Sequence, residues 1–280
     1  MVTLGVQVSI AGSIDHAVSR AVEKGCDTFQ IFSRNPRGWS YKPLTKESAE
    51  VFVQAMRTAG IDSAVVHMPY LPNFASEKEG IYKQSVESLS VELSRCTKLG
   101  IPYLVTHLGH HGPSGKVDGQ KRVADAINTV LEDAEDGVYL VLENTAGEKN
   151  SIGSDLSDIE AIIGKINFQK RIRVCFDTCH AFAAGYDLRT DEAVGETFDT
   201  FHDQIGLDRL SVIHLNDTKG EFGSGLDRHE HIGLGRIGEE GIRSILHHPR
   251  LRSLPFIMET PEDDRRDDIG NIAKVRELAA

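Results

Sequence analysis

The sequence predicts a single parallel (β/α)8 barrel, because short apolar segments alternate eight times with longer segments of helical period. The apolar segments are rich in β-branched residues and span residues 4–8, 28–32, 64–66, 103–106, 138–142, 173–176, 211–215 and 256–258. Eight such units fill about 250 residues in one barrel, so a chain of 280 residues needs one domain, residues 1–280. A doubly wound open sheet is the alternative.

The helical segments carry matching start and stop signals. In the first one, apolar residues recur at i, i+3, i+4, i+7 and i+8, namely Ile14, Ala17, Val18, Ala21 and Val22. Ser13 stands where the N-cap is expected and Gly25 where a left-handed C-terminal residue is expected. Later glycines stand between a helical segment and the next strand and predict similar caps: Gly60, Gly100, Gly137 and Gly206.

Composition excludes several classes of protein. No apolar run approaches the ~20 residues of a membrane span, and the N-terminus lacks a signal-peptide pattern. Four cysteines without a C-x-x-C pair do not make a disulfide framework, so we expect a cytoplasmic protein. The net charge of −11 argues against a nucleic-acid partner, unless some of the acidic residues bind cations.

Six successive predicted strands end in, or are followed at once by, a residue that can bind a metal. These residues are His67, His107, Glu143, Asp177, His214 and Glu259, and they are spaced by about one βα unit. Each alone has an ordinary explanation, such as a histidine bonded to a carbonyl or a carboxylate that caps a helix. Six in series would converge on the C-terminal mouth of the barrel, where the chemistry of this fold is located.

Three further residues of the same kind lie close by in sequence: His180, Asp227 and His229. Zinc takes about four ligands, and one carboxylate can be shared between ions, so nine ligands predict about three divalent ions. Nitrogen and oxygen donors favour zinc, with manganese or iron as alternatives. Bound ions would also offset the negative charge inside the cleft.

Two predicted βα loops are unusually rich in functional residue types, residues 33–46 and 216–238. The first carries no acidic residue, the only tryptophan, Trp39, and several cations: Arg34, Arg37, Lys42 and Lys46. Basic residues around an aromatic ring suit contact with nucleic acid. The alternative is a solvated loop with Trp39 packed on the barrel rim.

Four segments together strongly resemble the endonuclease IV family, the DNA-repair nucleases that cut beside abasic sites. They are E-N-T-A-G at 143–147, F-D-T-C-H-A-F-A-A-G-Y-D at 176–187, H-L-N-D at 214–217 and D-R-H at 227–229. The resemblance extends from Gly5 to about Glu262. It implies a (β/α)8 barrel with a three-metal, mostly zinc, centre.

The resemblance also implies roles for the nine residues. One ion would be held by His67, His107 and Glu143, a second by Glu143, Asp177, His214 and Glu259, and a third by His180, Asp227 and His229. Glu143 would bridge the first two ions and orient the attacking hydroxide. The implied product is a nick 5′ to the abasic sugar with a 3′-hydroxyl and a 5′-deoxyribose phosphate, and the same centre would remove 3′-blocking groups.

Arg37, Tyr70 and Leu71 match family positions that penetrate DNA at the lesion. The resemblance therefore implies a partner, double-stranded DNA with abasic sites or blocked 3′ ends, and favours a DNA contact for the basic loop. We expect a monomer that acts at the nucleoid and not at a membrane. Gln7 and Leu108 depart from residues that the family often has, histidine and proline, and we expect them to tune the reaction only.

Two other functions remain open from the sequence. A metal-dependent sugar isomerase or epimerase of the xylose-isomerase-like type would share the barrel and part of the ligand set. It would not need His180, Asp227 and His229 or the basic loop. A damage-binding protein without activity would need phosphate contacts but no complete set of nine ligands.

Overall fold

The computed structural model describes residues 2–280 and confirms the predicted (β/α)8 barrel. Its parallel strands are β1 Thr3–Val6, β2 Gln30–Phe32, β3 Val65–His67, β4 Tyr103–Thr106, β5 Tyr139–Glu143, β6 Ile172–Asp177, β7 Leu210–His214 and β10 Pro255–Met258. They are hydrogen-bonded in the order β1-β10-β7-β6-β5-β4-β3-β2. Because this order follows the chain around a ring, the doubly wound alternative is wrong.

The ring closes between β1 and β2. The backbone N–H of Val8 donates to the carbonyl of Gln30 at 2.8 Å, and the N–H of Thr28 donates to the carbonyl of Leu4 at 3.3 Å. A Cβ atom at Gly5 would overlap the backbone carbonyl of Thr28. Glycine at position 5 therefore lets the first and second strands approach closely enough to close the barrel.

The helices of residues 2–280 pack around the strands. They are α1 His16–Lys24, α2 Lys46–Ala59, α3 Glu79–Leu99, α4 Lys116–Asp133, α5 Leu156–Ile163, α6 Thr178–Ala184, α7 Asp191–Gln204, α8 Gly238–His247 and α9 Asp268–Leu278. A short antiparallel pair, β8 Asp217–Thr218 and β9 His229–Glu230, lies within the loop of residues 216–238. The sequence did not predict this pair.

The predicted helix caps are partly correct. Gly25, Gly60 and Gly100 adopt the left-handed conformation at the C-termini of α1, α2 and α3. Ser13 is not the N-cap of α1, because the helix begins at His16 after Asp15. The glycines at 137 and 206 have positive φ but follow helices whose C-caps are Ala134 and Ile205, so they shape loops instead.

The barrel lumen is filled by a separate layer of buried side chains, one from each of six neighbouring strands. The layer consists of Val65, Val105, Val141, Cys175, Val212 and Ile257. Below it, the rings of Tyr103 and Tyr139 stack with centroids 6.1 Å apart, and the guanidinium of Arg173 lies 4.3 Å from the Tyr139 centroid. Alternate strand residues face outward and pack against the helices. Within residues 2–280, no helix has the length and apolar character needed to cross a membrane.

Candidate metal centre

The six strand-end residues form the layer directly above the apolar layer of the lumen. Each follows a lumen residue by two positions, and side chains two apart on a strand face the same side. Four of them end a strand: His67, Glu143, Asp177 and His214. His107 and Glu259 come one residue after β4 and β10. The barrel register therefore brings all six side chains to the C-terminal mouth, as expected from their spacing.

Glu143 is fully buried, and its two carboxylate oxygens face different histidines. Oε2 lies 3.1 Å from His67 Nε2 and 3.0 Å from His107 Nε2, whereas Oε1 lies 2.9 Å from His214 Nδ1. Glu143 thus joins one group, with His67 and His107, to a second group of ligand-type residues: Asp177, His214 and Glu259. Within each group, the candidate ligand atoms lie within 4.8 Å of one another.

The third group is built around the start of α6. Asp177 Oδ1 accepts the backbone N–H of His180 at 2.7 Å and so caps this helix. His180 Nε2 lies 3.4 Å from Asp227 Oδ2, and His229 Nε2, on β9, lies 3.3 Å from Asp227 Oδ1. The structure therefore brings all nine predicted ligands together in the three sets that the resemblance implies. Their binding of ions stays a prediction.

Backbone carbonyls orient three of the histidine rings. The Nδ1 atoms of His67, His180 and His229 donate to the carbonyls of Met68 at 2.7 Å, Asn144 at 2.9 Å and Glu259 at 2.9 Å. A carbonyl can only accept, so in the neutral ring the proton is on Nδ1 and the lone pair is on Nε2, which faces the cluster. Rings held in this way are typical of metal ligands.

The carboxylates and imidazoles strongly perturb one another's protonation. Burial lowers the pKa of His229, but the Asp227 and Asp177 carboxylates outweigh it and raise that pKa to about 9. Carboxylates likewise raise the pKa of His180 against the effect of burial, and Cys175 together with the Glu259 and Glu143 carboxylates raises the pKa of His214. Burial alone would raise the pKa of Glu143, but His107 and His214 hold it well below its usual range. The buried carboxylates thus favour positively charged partners.

The donor set fits divalent transition ions. Five imidazoles and four carboxylates are the nitrogen and oxygen donors that zinc and manganese accept. The buried Nε2 atom of His229 makes no hydrogen bond within residues 2–280, although Asp227 lies near it. A buried polar atom without a partner is costly, and an ion bound there would satisfy it.

Two supporting residues, Asn144 and Asn216, were missed in the sequence, although they lie one and two positions after the ligands Glu143 and His214. The amide of Asn144 donates to the carbonyl of Asp177 at 3.0 Å and accepts its N–H at 2.7 Å. The amide of Asn216 donates to Asp177 Oδ2 at 2.7 Å and accepts the N–H of Glu259 at 2.8 Å. Together they hold the ends of β5, β6, β7 and β10 at fixed distances. A polar residue one or two positions after a buried strand is the signal that could have indicated them.

Asp217, also missed, organises the loop that carries Asp227 and His229. Its fully buried carboxylate accepts backbone N–H groups at 2.8–3.0 Å from several residues of this loop: Thr218, Gly233, Gly235 and Ile237. Burial raises the pKa of Asp217, and the N–H groups oppose that rise. The third ligand group therefore depends on a loop folded around one carboxylate.

The three predicted DNA-contact residues lie on loops above this layer. Tyr70 is 64% exposed and Leu71 38% exposed, and Arg37 is also exposed. The Tyr70 ring packs edge-on against Phe32 at 4.9 Å, and its N–H donates to the carbonyl of Pro36 at 3.1 Å. This pair of contacts joins the Tyr70 loop to the basic loop of residues 33–46.

The basic loop is only partly available to a partner. Arg34 is 5% exposed, and its Nε lies 2.5 Å from Glu92 Oε1 on α3. Its guanidinium therefore anchors the loop, whereas the exposed Arg37 is free to contact a partner. Trp39 is half-buried.

A cleft of about 710 Å³ opens above the ligands. Its lining includes Tyr70 and Arg228 on the rim and ligand residues from all three groups: His67, His107, Glu259, His180, Asp227 and His229. The arrangement places ligand-type residues at the floor and an exposed aromatic ring at the edge. An extended substrate could reach the floor from this opening.

Known proteins match this chain both in sequence and in structure. A family model described as a xylose isomerase-like TIM barrel matches residues 18–278. A protein of Methanoculleus marisnigri named "Probable endonuclease 4" is 61% identical over 280 residues, covering 100% of this chain and 99% of its own length. The crystal structure of endonuclease IV from Thermus thermophilus superposes with a TM-score of 0.87 at 32% identity, covering 99% of this chain and 98% of that one.

A D-tagatose 3-epimerase-like protein also superposes, with a TM-score of 0.76 at 20% identity over 99% of this chain and 96% of that one. That likeness extends to the barrel alone. The endonuclease relatives match this chain in sequence over almost their whole length. The chain therefore belongs to the endonuclease IV family and is a nuclease.

Proposed function

We propose that this chain hydrolyses the phosphodiester bond 5′ to abasic sites in double-stranded DNA. The products would carry a 3′-hydroxyl and a 5′-deoxyribose phosphate, and the same centre would clean blocked 3′ ends. The observation that carries this proposal is the shared position of Glu143 between two ligand groups, beside a third group, on the floor of one cleft. A monosaccharide site would have no use for Tyr70 and Leu71 on the rim.

The three groups would hold three divalent ions, zinc or in part manganese. His67, His107 and Glu143 would hold one, Glu143, Asp177, His214 and Glu259 a second, and His180, Asp227 and His229 a third. Bound ions would supply positive charge to the reacting phosphate and an activated water for the attack. Two of the carboxylates, Glu143 and Asp177, are fully buried, so their charges act at low dielectric.

The chain's own residues would position the substrate. Glu143 is held between His67, His107 and His214, so its carboxylate has one fixed orientation towards the reacting phosphate. Positioning of this kind contributes strongly to catalysis. Asn216 and Asn144 keep Asp177 in place beside it.

Damage recognition would come from the loops. Tyr70, on the rim of the cleft, offers a stacking plane, and the neighbouring exposed Leu71 offers an apolar wedge. An abasic nucleotide has little stacking to lose, so its extrusion is easier than that of an intact one. Arg37 would contact a phosphate nearby and help to offset the net charge of −11.

The test is cleavage of a 5′-labelled duplex that carries one abasic analogue, before and after removal of metal with a chelator. We expect one cut on the 5′ side of the lesion, loss of cutting after chelation and recovery with zinc or manganese. The matched control is the undamaged duplex. A polymerase should extend the nicked strand, because it ends in a 3′-hydroxyl. A product that cannot be extended would contradict the proposed chemistry.

Metal content tests the site independently. Elemental analysis of the reconstituted protein should give about three transition ions per chain. One ion or none would count against the nuclease centre and favour the sugar isomerase. Release of the blocking group from a duplex with a 3′-phosphate would test the 3′-cleaning activity.

A further inference from the structure

Gln30 is a polar side chain buried in the apolar part of the barrel, on β2. It is 0% exposed, and its amide contacts two candidate ligands that belong to distant strands. Its Nε2 donates to Glu259 Oε1 at 2.7 Å, and its Oε1 lies 2.9 Å from His214 Nε2. Both partners belong to the second ligand group.

These two contacts determine where the proton of His214 lies. An ionised carboxylate can only accept, so the amide nitrogen of Gln30 must face Glu259. The amide oxygen then faces His214, and it can only accept as well. In the neutral ring, the form that binds a metal, His214 Nε2 therefore carries the proton and Nδ1 carries the lone pair.

His214 Nδ1 points into the ligand group. It lies 2.9 Å from Glu143 Oε1, 3.5 Å from Glu259 Oε2 and 3.8 Å from Asp177 Oδ2. His67, His180 and His229 instead present Nε2, because backbone carbonyls take their Nδ1 protons. The orientation of His214 depends on a side chain, which a substitution can remove.

We propose that Gln30 is a positioning residue that selects Nδ1 of His214 as the ligand atom and fixes Glu259 beside it. The inference rests on the metal centre of the proposed function. Gln30 would act through the two ligands and would not touch the substrate. Loss of its amide would free the His214 ring to change tautomer and would free one oxygen of Glu259. Partners of this kind typically change metal affinity by about 10- to 100-fold.

The test is Gln30→Met, which keeps the side-chain length and removes both hydrogen bonds. Competition with a chelator on the zinc-loaded protein should show one of three ions bound about 10- to 100-fold more weakly, and the other two unchanged. The matched control is Gln120→Met. Gln120 is a buried glutamine of α4 that donates to Asp158 Oδ1 at 2.9 Å, away from the ligands. It should leave all three affinities unchanged.

A second readout needs no variant. In ¹⁵N spectra of the zinc-loaded wild-type protein, His214 should show a protonated Nε2 and a metal-bound Nδ1, opposite to His67, His180 and His229. Gln30→Glu keeps an acceptor for His214 but not the donor to Glu259. It should preserve the protonated Nε2 and metal-bound Nδ1 of His214 while lowering the affinity for the same ion.

The outcomes separate this inference from the proposed function. A protonated Nδ1 on His214 in the wild type, or wild-type affinity for all ions in Gln30→Met, would overturn the role of Gln30 and leave the nuclease centre intact. A wild-type protein that binds no metal and cuts no abasic DNA would overturn the proposed function itself.

Discussion

The strand-borne ligands and the loop-borne DNA-contact residues lie at the same mouth of the barrel but are held in different ways. Glu143, Asp177 and His214 end barrel strands, are 0% exposed and are fixed by the register of the sheet. Tyr70 and Leu71 project into solvent and are held by a few hydrogen bonds and ring contacts at the base of their loop. The floor of the cleft is therefore set by the strand register of the barrel, while the position of its rim depends on contacts between loops.

The third ligand group lies between these extremes. His180 is 3% exposed at the start of α6, but Asp227 and His229 belong to a loop that depends on the buried carboxylate of Asp217. We therefore expect a substitution on the floor to change cleavage, one in the loop of the third ligand group to change ion binding, and one on the rim to change damage recognition.

The largest effect is expected at the floor. Glu143→Gln keeps the size of the side chain but removes the charge that lies between His67, His107 and His214. Cleavage of abasic DNA should fall by several orders of magnitude, because both charge and orientation at the centre are lost, while DNA affinity stays near normal. Single-turnover cleavage and a binding titration measure the two effects.

His110→Gln serves as the control for this substitution, because the His110 side chain is exposed and outside the ligand groups. This substitution should leave both cleavage and DNA affinity almost unchanged. A Glu143→Gln protein that cuts within roughly tenfold of the parent rate would refute the bridging role, since tenfold is only about 1.4 kcal/mol of barrier.

The next largest effect is expected at the rim. Replacing both Tyr70 and Leu71 by Ala should reduce discrimination between abasic and intact duplexes, by about 1–3 kcal/mol for each lost stacking contact. Metal content should not change, because neither residue belongs to the ligand groups. Binding titrations with the two duplexes measure the ratio of affinities. An unaltered ratio would show that these residues do not read the lesion.

A smaller effect is expected from Asp217→Asn in the loop of the third group. An amide cannot accept all the N–H groups that the carboxylate accepts, and hydrogen bonds to charged groups contribute about 1.5–3 kcal/mol each. The free energy of unfolding should fall by about 2 kcal/mol, and one of the three ions should dissociate more readily than the others. Asp203→Asn, at an exposed position of α7, is the control. Equal loss of all three ions would contradict a local role for Asp217.

The smallest effect is expected from a substitution of Asn73, near Tyr70. The Asn73 amide accepts the N–H of His110 at 3.0 Å and donates to its carbonyl at 3.1 Å, which ties the Tyr70 loop to the loop after β4. Asn73→Ala should weaken abasic-DNA binding by roughly fivefold, since a lost hydrogen bond costs about 1 kcal/mol. Cleavage of bound DNA should be unchanged.

Asn128→Ala is a matched control, because the Asn128 amide makes the same kind of pair with the backbone of Asn167 and Lys165 on the outside of the barrel. It should leave DNA affinity unchanged. Equal losses of DNA affinity in both variants would mean that Asn73 affects the stability of the whole protein and not the position of the Tyr70 loop.

The sequence by itself determined the barrel and the positions of the six strand-end residues. Both follow from local patterns. The βα alternation predicts the fold, and the two-residue period of a strand places His67 and Glu143 on the same face as the apolar residue two positions before each of them. His180, Asp227 and His229 were recognisable as ligand types, but their assignment to one group came from the family resemblance. Arg37, Tyr70 and Leu71 came from that resemblance alone, because exposed loop residues follow no periodic pattern.

The tertiary structure alone decided how these residues are supported. Gln30 and His214 are 184 positions apart, and no local signal connects them. The burial of Arg34 against Glu92, the clamps of Asn144 and Asn216, and the fold of the 216–238 loop around Asp217 likewise depend on which strands become neighbours. Local sequence sets the direction in which a side chain leaves its strand or helix. The partner it meets depends on closure of the barrel, which brings together residues from its whole circumference.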